Sequence, residues 1–161
     1  MLPTFATFLF THNAQIAILA FALGFACGLP AAMLMIYNGC TLGAIFALFG
    51  PRGLGPDLGG WLFIHGVTEL FAVTLAGAAG LRIGWRLVFP GAHARLDALA
   101  EAGRRGAVVM FGVIIMLFVA GCLEGIGRQL ITGAGPRYAI ALTTAVVWGG
   151  YFYWPRRGSR A

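Results

Sequence analysis

Apolar residues run almost unbroken through 14–37, 38–50, 61–81, 106–123 and 139–154, and the polar residues gather in the short stretches between. A hydrocarbon core of about 30 Å takes about 20 apolar residues of helix, so the chain supplies about four to five transmembrane helices. The ten-residue alternating segments of a membrane β-barrel are missing. The pattern therefore predicts an all-α, polytopic helical membrane protein. No repeat, low-complexity tract or linker divides it, and 1–161 reads as a single transmembrane domain.

The first apolar stretch leaves two layouts open. Between 14 and 50 the polar residues are Gln15, Tyr37, Asn38 and Thr41, and the segment is too long for one crossing and barely enough for two. Gly28-Leu29-Pro30 and Tyr37-Asn38-Gly39 are the candidate breaks, since proline and Asn-Gly both disfavour continued helix. Two crossings place the N-terminus outside. One crossing followed by a broken or re-entrant half-helix over 39–50 places it inside, and such a break is tolerated only against protein or a water-lined cavity. The opening MLPTFATFLFTHNAQ has no Lys or Arg. It therefore lacks the basic region of a signal peptide. Phe5, Phe8, Leu9 and Phe10 read instead as a short amphipathic segment at the interface. GPRGLGPDLGG (50–60) reads as an external loop.

Composition strengthens this picture and charge orients it. The residues are 60% hydrophobic and 10% charged, with a mean hydropathy of +0.87, where a soluble domain carries about 25% charged residues. The net charge of +6 sits at helix ends: Arg82, Arg86, His93, Arg95, Arg104 and Arg105 in one group, Arg156, Arg157 and Arg160 in another. Basic residues beside spans mark the cytoplasmic side. The expectation is a multi-pass protein of the cell (inner) membrane with a cytoplasmic C-terminus. The 61–88 helix then runs inward, 106–127 returns outward, 128–137 is an external loop, and 138–154 ends in an interfacial belt of Tyr151, Tyr153 and Trp154. The polar stretch 94–105 reads as a polar helix that serves as a cytoplasmic connector, with Leu96 and Leu99 toward the bilayer and Asp97, Glu101 and Arg104 toward water. Arginines that flank apolar spans meet the lipid bilayer's headgroups, and no nucleic acid is expected. Cys27, Cys40 and Cys122 form no C-x-x-C pair and read as small core hydrophobes.

Within LFIHGVTELFAVTLAGAAGLRIG (62–84), His65 and Glu69 interrupt an otherwise apolar sequence. An ionisable side chain at the centre of a membrane helix costs roughly 2.5–3.5 kcal/mol or more, so its surroundings must offset that. At about 100° per residue His65 lies about 40° from Glu69, and Ala72, Ala76, Gly80 and Gly84 fall within about 60° of it. One face thus carries the polar pair followed by small residues every fourth position, the pattern that lets membrane helices approach closely. His65 and Glu69 sit about 6 and 12 Å below the outer start of their helix, and Glu124 about 5 Å below the same surface. His65, Glu69, Glu124 and Asn38 are therefore the candidate intramembrane polar cluster. Two uses stay open. One is a brace between neighbouring helices, the other a proton or ion site. Glu124 has the further option of pairing with Arg128 at i+4, and Asn38 of hydrogen-bonding between helices. No H-E-x-x-H or third nearby ligand indicates a metal. No G-x-S-x-G or paired-carboxylate arrangement indicates an enzyme, and no cofactor is implied.

NGCTLGAIFALF (38–49), FIHGVTELFAVTLAGAAGLRIGWRLVFPG (63–91), AGRRG (102–106) and AGCLEGI (120–126) resemble the stage II sporulation protein M family of integral membrane proteins, in order and spacing from about residue 14 to residue 127. Asn38, Gly39, His65, Gly66, Glu69, Gly77, Gly80, Leu81, Pro90 and Glu124 stand at the family's motif positions. The resemblance implies a membrane component of a cell-envelope complex, with cell-wall hydrolases as partners of the family's namesake. It also implies a shortened member, because the family's N-terminal cytoplasmic segment and first transmembrane helix have no counterpart here, and this favours an external start.

Two functions follow as expectations. One is a scaffold or assembly component that positions envelope proteins by packing, with the small-residue face also suited to a homodimer. The other is a channel, transporter or lipid-translocating protein that uses the intramembrane His/Glu cluster.

Overall fold

The computed structural model describes residues 2–127 and 130–154, with side chains from Phe10 onward apart from that of residue 126. The expectations for Phe5, Phe8 and Leu9 as an interfacial face, for Arg128 as a partner of Glu124, and for the arginines at 156, 157 and 160 lie outside the described residues. The described residues form five long helices: α1 (Leu2–Ala22), α2 (Leu29–Phe49), α3 (Gly55–Val88), α4 (Arg95–Cys122) and α5 (Ala134–Tyr153). The described residues contain no strand. Three segments, Leu29–Arg52, Gly55–Val88 and Arg95–Gly125, are long and apolar enough to cross a membrane, and Phe10–Phe25 is a shorter apolar one. This is the all-α polytopic architecture read from the apolar runs.

Helix α3 is the axis of the bundle. Its most apolar stretch is 56% buried, whereas none of that of α2 is. The neighbours follow from contacts along its length. Residues 13, 20 and 24 of the chain lie against 69 and 80 of α3, so α1 runs parallel to it. Met35 beside Gly77 and Phe46 stacked on Phe63 make α2 antiparallel. Gly106 beside Ile83 and Gly127 beside Ile64 do the same for α4. Tyr138 donates its hydroxyl to the carbonyl of Pro56 at 2.7 Å, and Phe152 packs on Phe71, so α5 is again parallel to α3. Chain neighbours therefore alternate in direction, as short loops dictate.

The core is made of small residues and the surface of large apolar ones. Ala17, Ala20, Ala31, Ala72, Ala76, Ala98, Ala102 and Ala120 are buried, while Leu29, Ile36, Phe111, Phe118, Leu142 and Val146 face outward. In lipid the apolar exterior costs nothing, and close backbone approach supplies the packing that holds helices together. Cys27, Cys40 and Cys122 are exposed. The expectation of core cysteines is thus corrected: the alanines and glycines fill the interior, and the thiols join the outward face.

Of the two candidate breaks before residue 50, one is present and one is not. The chain does break at Gly28, which adopts φ 78° at the N-cap of α2, with Pro30 in the first turn. It does not break at 37–39. Asn38 Nδ2 donates to the Leu34 carbonyl at 2.9 Å and Thr41 Oγ1 to that of Tyr37 at 2.9 Å, so the polar side chains are satisfied on their own helix. Unbroken helix also keeps each backbone group paired where no water can replace it. The 39–50 half-helix is accordingly the second half of α2. At 21 residues α2 is about 31 Å long by its rise per residue, enough for the hydrocarbon core.

The loops are also shorter than expected. Helix α3 begins at Gly55, inside the segment read as an external loop, with Pro56 and Asp57 in its first turn. Proline is pre-organised there and an acid suits the helix N-terminus. The polar stretch 94–105 is helical as read, and it runs on into the following apolar span as the first turns of α4, which begins at Arg95. Leu96 faces outward as expected, while Ala98 and Ala102 turn in, and Glu101 accepts from Arg86 of α3 at 3.4 Å and from Arg105 at 2.6 Å.

Candidate functional site: an intramembrane polar cluster

The buried polar side chains collect toward one end of the bundle, opposite the end that carries Arg86, Arg95 and Arg105. His65 is 2% exposed, Glu69 5%, Glu124 2%, and Thr68 is fully enclosed. Helical spacing places His65 and Glu69 one turn apart on α3, and their Nε2 and Oε2 atoms are 4.0 Å apart. Trp61, one turn earlier, sets its ring edge-to-face against His65 with centroids 6.1 Å apart. The pair therefore lies in a seam between helices, shielded from lipid.

A third helix closes the seam. Asn13 of α1 donates from Nδ2 to Glu69 Oε2 at 2.8 Å. Around this contact Ile16 and Ala17 of α1, Ala72, Val73 and Ala76 of α3, and Val113, Met116 and Leu117 of α4 form one apolar cluster. An apolar wall lowers the local dielectric, which strengthens the Asn13–Glu69 bond and raises the cost of any buried polar atom left over. Among the described residues Glu69 Oε1 is such an atom, with no hydrogen-bond partner.

Glu124 reaches the site from the end of α4. After Cys122 the helix widens into a π-helical turn, Leu123–Gly127. The extra residue in such a turn changes the direction of the side chains that follow, and single π turns are frequent at functional sites. Gly127 lies beside Ile64, so the turn that carries Glu124 packs against the turn of α3 that carries His65. Two carboxyl groups and an imidazole from two separate helices, with an amide from a third, thus share one enclosed region.

On the opposite flank of α3, Trp148 of α5 donates from Nε1 to Thr68 Oγ1 at 3.1 Å. Interhelical bonds of this kind in membranes average about 0.6 kcal/mol and reach about 1.7. Trp148→Phe is expected to lower the unfolding free energy in mixed micelles by about that much, with helicity retained. An unchanged denaturation midpoint would mean that the indole NH does not hold α5 to α3.

The structure brings His65, Glu69 and Glu124 into one buried region. Asn38 is half-buried on α2, and its described hydrogen bond is to its own helix. Ala72, Ala76, Gly80 and Gly84 are buried along α3, and a Cβ on Gly80 or Gly84 would collide with the backbone at Ala20 or at Cys27–Gly28 respectively. Sequence reasoning missed Asn13, Thr68 and Trp148. The polar stretch Thr11-His12-Asn13-Ala14-Gln15 at the start of the first apolar run was the available signal for Asn13. For Thr68 it was the one-residue offset from Glu69, which points it to a different neighbour. Among the described residues no group of three or more His, Cys, Asp and Glu side chains has the spacing to hold a metal ion.

Residues 2–127 match the family model described as Stage II sporulation protein M. No curated protein and no solved structure matches the chain.

Proposed function

Since the chain belongs to the Stage II sporulation protein M family, a family of membrane proteins rather than of known enzymes, we propose that it is a scaffold or assembly component of a cell-envelope complex. It would act without catalysing a reaction. The observation that carries this reading is the enclosure of the Asn13–His65–Glu69–Glu124 cluster between α1, α3 and α4. A polar group fixed inside apolar packing specifies which helices pair and in which register, as interhelical hydrogen bonds do in membranes. The bundle so braced leaves α2 with its apolar surface turned outward, available to envelope proteins, cell-wall hydrolases among them, or to a second copy. By the rule that basic residues stay inside, the end carrying Arg86, Arg95 and Arg105 is cytoplasmic, and so is the C-terminus, in the inner membrane. The full chain purified in mild detergent should retain a specific envelope partner, recovered again in the reverse pull-down. A chain that always isolates alone would defeat the scaffold reading.

One observation favours a second reading, ion or proton transfer through the same cluster. Glu69 is almost fully buried, and its Oε1 makes no hydrogen bond among the described residues. Ionisable groups inside a membrane protein commonly mark a pathway. In proteoliposomes, a flux that depends on pH and disappears in Glu69→Gln would support transport. Equal flux from the variant, or none from the wild type, would leave the cluster as a brace.

A further inference from the structure

We infer that the basic end of the bundle carries a binding site for one anionic phospholipid. A groove of about 650 Å³ opens there between the α1–α2 turn and the last turns of α3. Leu29 and Ala32 form one side, Leu81, Trp85 and Phe89 the other, and Arg82 is the cation in its wall. The lining is otherwise apolar, as an acyl chain requires.

Three features select the occupant. First, Arg82 is exposed and forms no ion pair among the described residues. Arg86 and Arg105, by contrast, share Glu101. The groove thus offers a guanidinium to an outside anion, and guanidinium groups match phosphate oxygens in a two-pronged geometry. Second, the surroundings are basic: Arg82, Arg86, Arg95, Arg104 and Arg105 outnumber Asp97 and Glu101 between 82 and 105. That balance favours a headgroup with net negative charge over a zwitterionic one. Third, Arg82 is six residues short of the end of α3, about 9 Å along the axis. This suits a long side chain that reaches from apolar surface to the headgroup layer. Trp85, 64% exposed, packs against Phe89 with ring centroids 4.5 Å apart and planes tilted by 44°, and exposed aromatic rings concentrate at that same depth. An apolar partner helix would satisfy the apolar walls but would leave Arg82 without an anion.

The site is tested by native mass spectrometry of the full chain, released from micelles containing phosphatidylglycerol and phosphatidylcholine with identical acyl chains. The wild type should retain phosphatidylglycerol in preference by about fivefold, the effect of one arginine near an anionic surface. Arg82→Gln should bring that preference close to parity. Arg52→Gln removes an exposed arginine at the opposite end of the bundle and should leave the preference in place. Ala32→Phe should reduce retention of both lipids by filling the groove. The inference is overturned if the wild type shows no preference, if Arg52→Gln acts as strongly as Arg82→Gln, or if Ala32→Phe leaves retention unchanged. It is equally overturned if the exposed Cys27 cross-links two copies efficiently in nanodiscs whatever the lipid, because a second copy would then cover the groove.

Discussion

Gly80→Ala is expected to destabilise the bundle by about 2–3 kcal/mol, although it adds only one methyl group. Overpacking a tight interior costs about 1–3 kcal/mol, and more where rigid atoms must move. At Gly80 the obstacle is backbone. The new Cβ would collide with the carbonyl of Ala20 on α1, and Gly24 presses on the same residue from the following turn. Neither is the end of a side chain that can swing aside, so α1 must be displaced from α3. Gly112 of α4 is the control, with no atom within 4 Å of the position a Cβ would take. There alanine should be neutral or stabilise by up to about 1 kcal/mol, the difference in helix propensity. The two variants are compared by circular dichroism during unfolding in mixed micelles. If Gly80→Ala unfolds with the wild type, the α1–α3 backbone contact is wrong.

Asn13→Leu is the second variant with a large expected effect. It removes the donor to Glu69 Oε2 and leaves a carboxyl group stranded in an apolar wall. Such a loss costs about 1–3 kcal/mol, and more for charged groups. The double variant Asn13→Leu/Glu69→Leu removes both partners. It should recover stability to within about 1 kcal/mol of the wild type, since replacing a whole buried polar pair by apolar groups is often neutral or better. The non-additivity measures the coupling directly. Equal destabilisation in the single and double variants would show that α1 and α3 do not meet through this bond. The double variant also separates the two functional readings. A brace can be replaced by leucines with partner binding intact, whereas a conducting site cannot.

The legible parts of this protein were those written in local periodicity. The spacing of His65 and Glu69 puts them on one helical face with Ala72, Ala76, Gly80 and Gly84, because 3.6 residues per turn is a property of any helix. Apolar runs identified the spans for the same kind of reason, the fixed thickness of the bilayer. The break at Gly28-Leu29-Pro30 was legible too, since a left-handed glycine followed by proline is a local signal. The Tyr37-Asn38-Gly39 break was misleading: in lipid, an amide that bonds back to Leu34 on its own helix satisfies itself without ending the helix.

By itself, then, the sequence determined the all-helical membrane class, the helical face that carries the polar pair, and the small residues that permit close approach. These depend on composition and on repeats a few residues long. Tertiary structure alone decided that Asn13, 56 positions away, supplies the hydrogen bond to Glu69. It also decided that the residues around Glu124 form a π-helical turn, that Trp148 holds Thr68, and that the cysteines face outward. Those are matters of which helix lies against which, and in what rotation. In a bilayer nearly every face of every helix is apolar enough to be either interior or exterior, so hydrophobicity cannot choose between them and packing does.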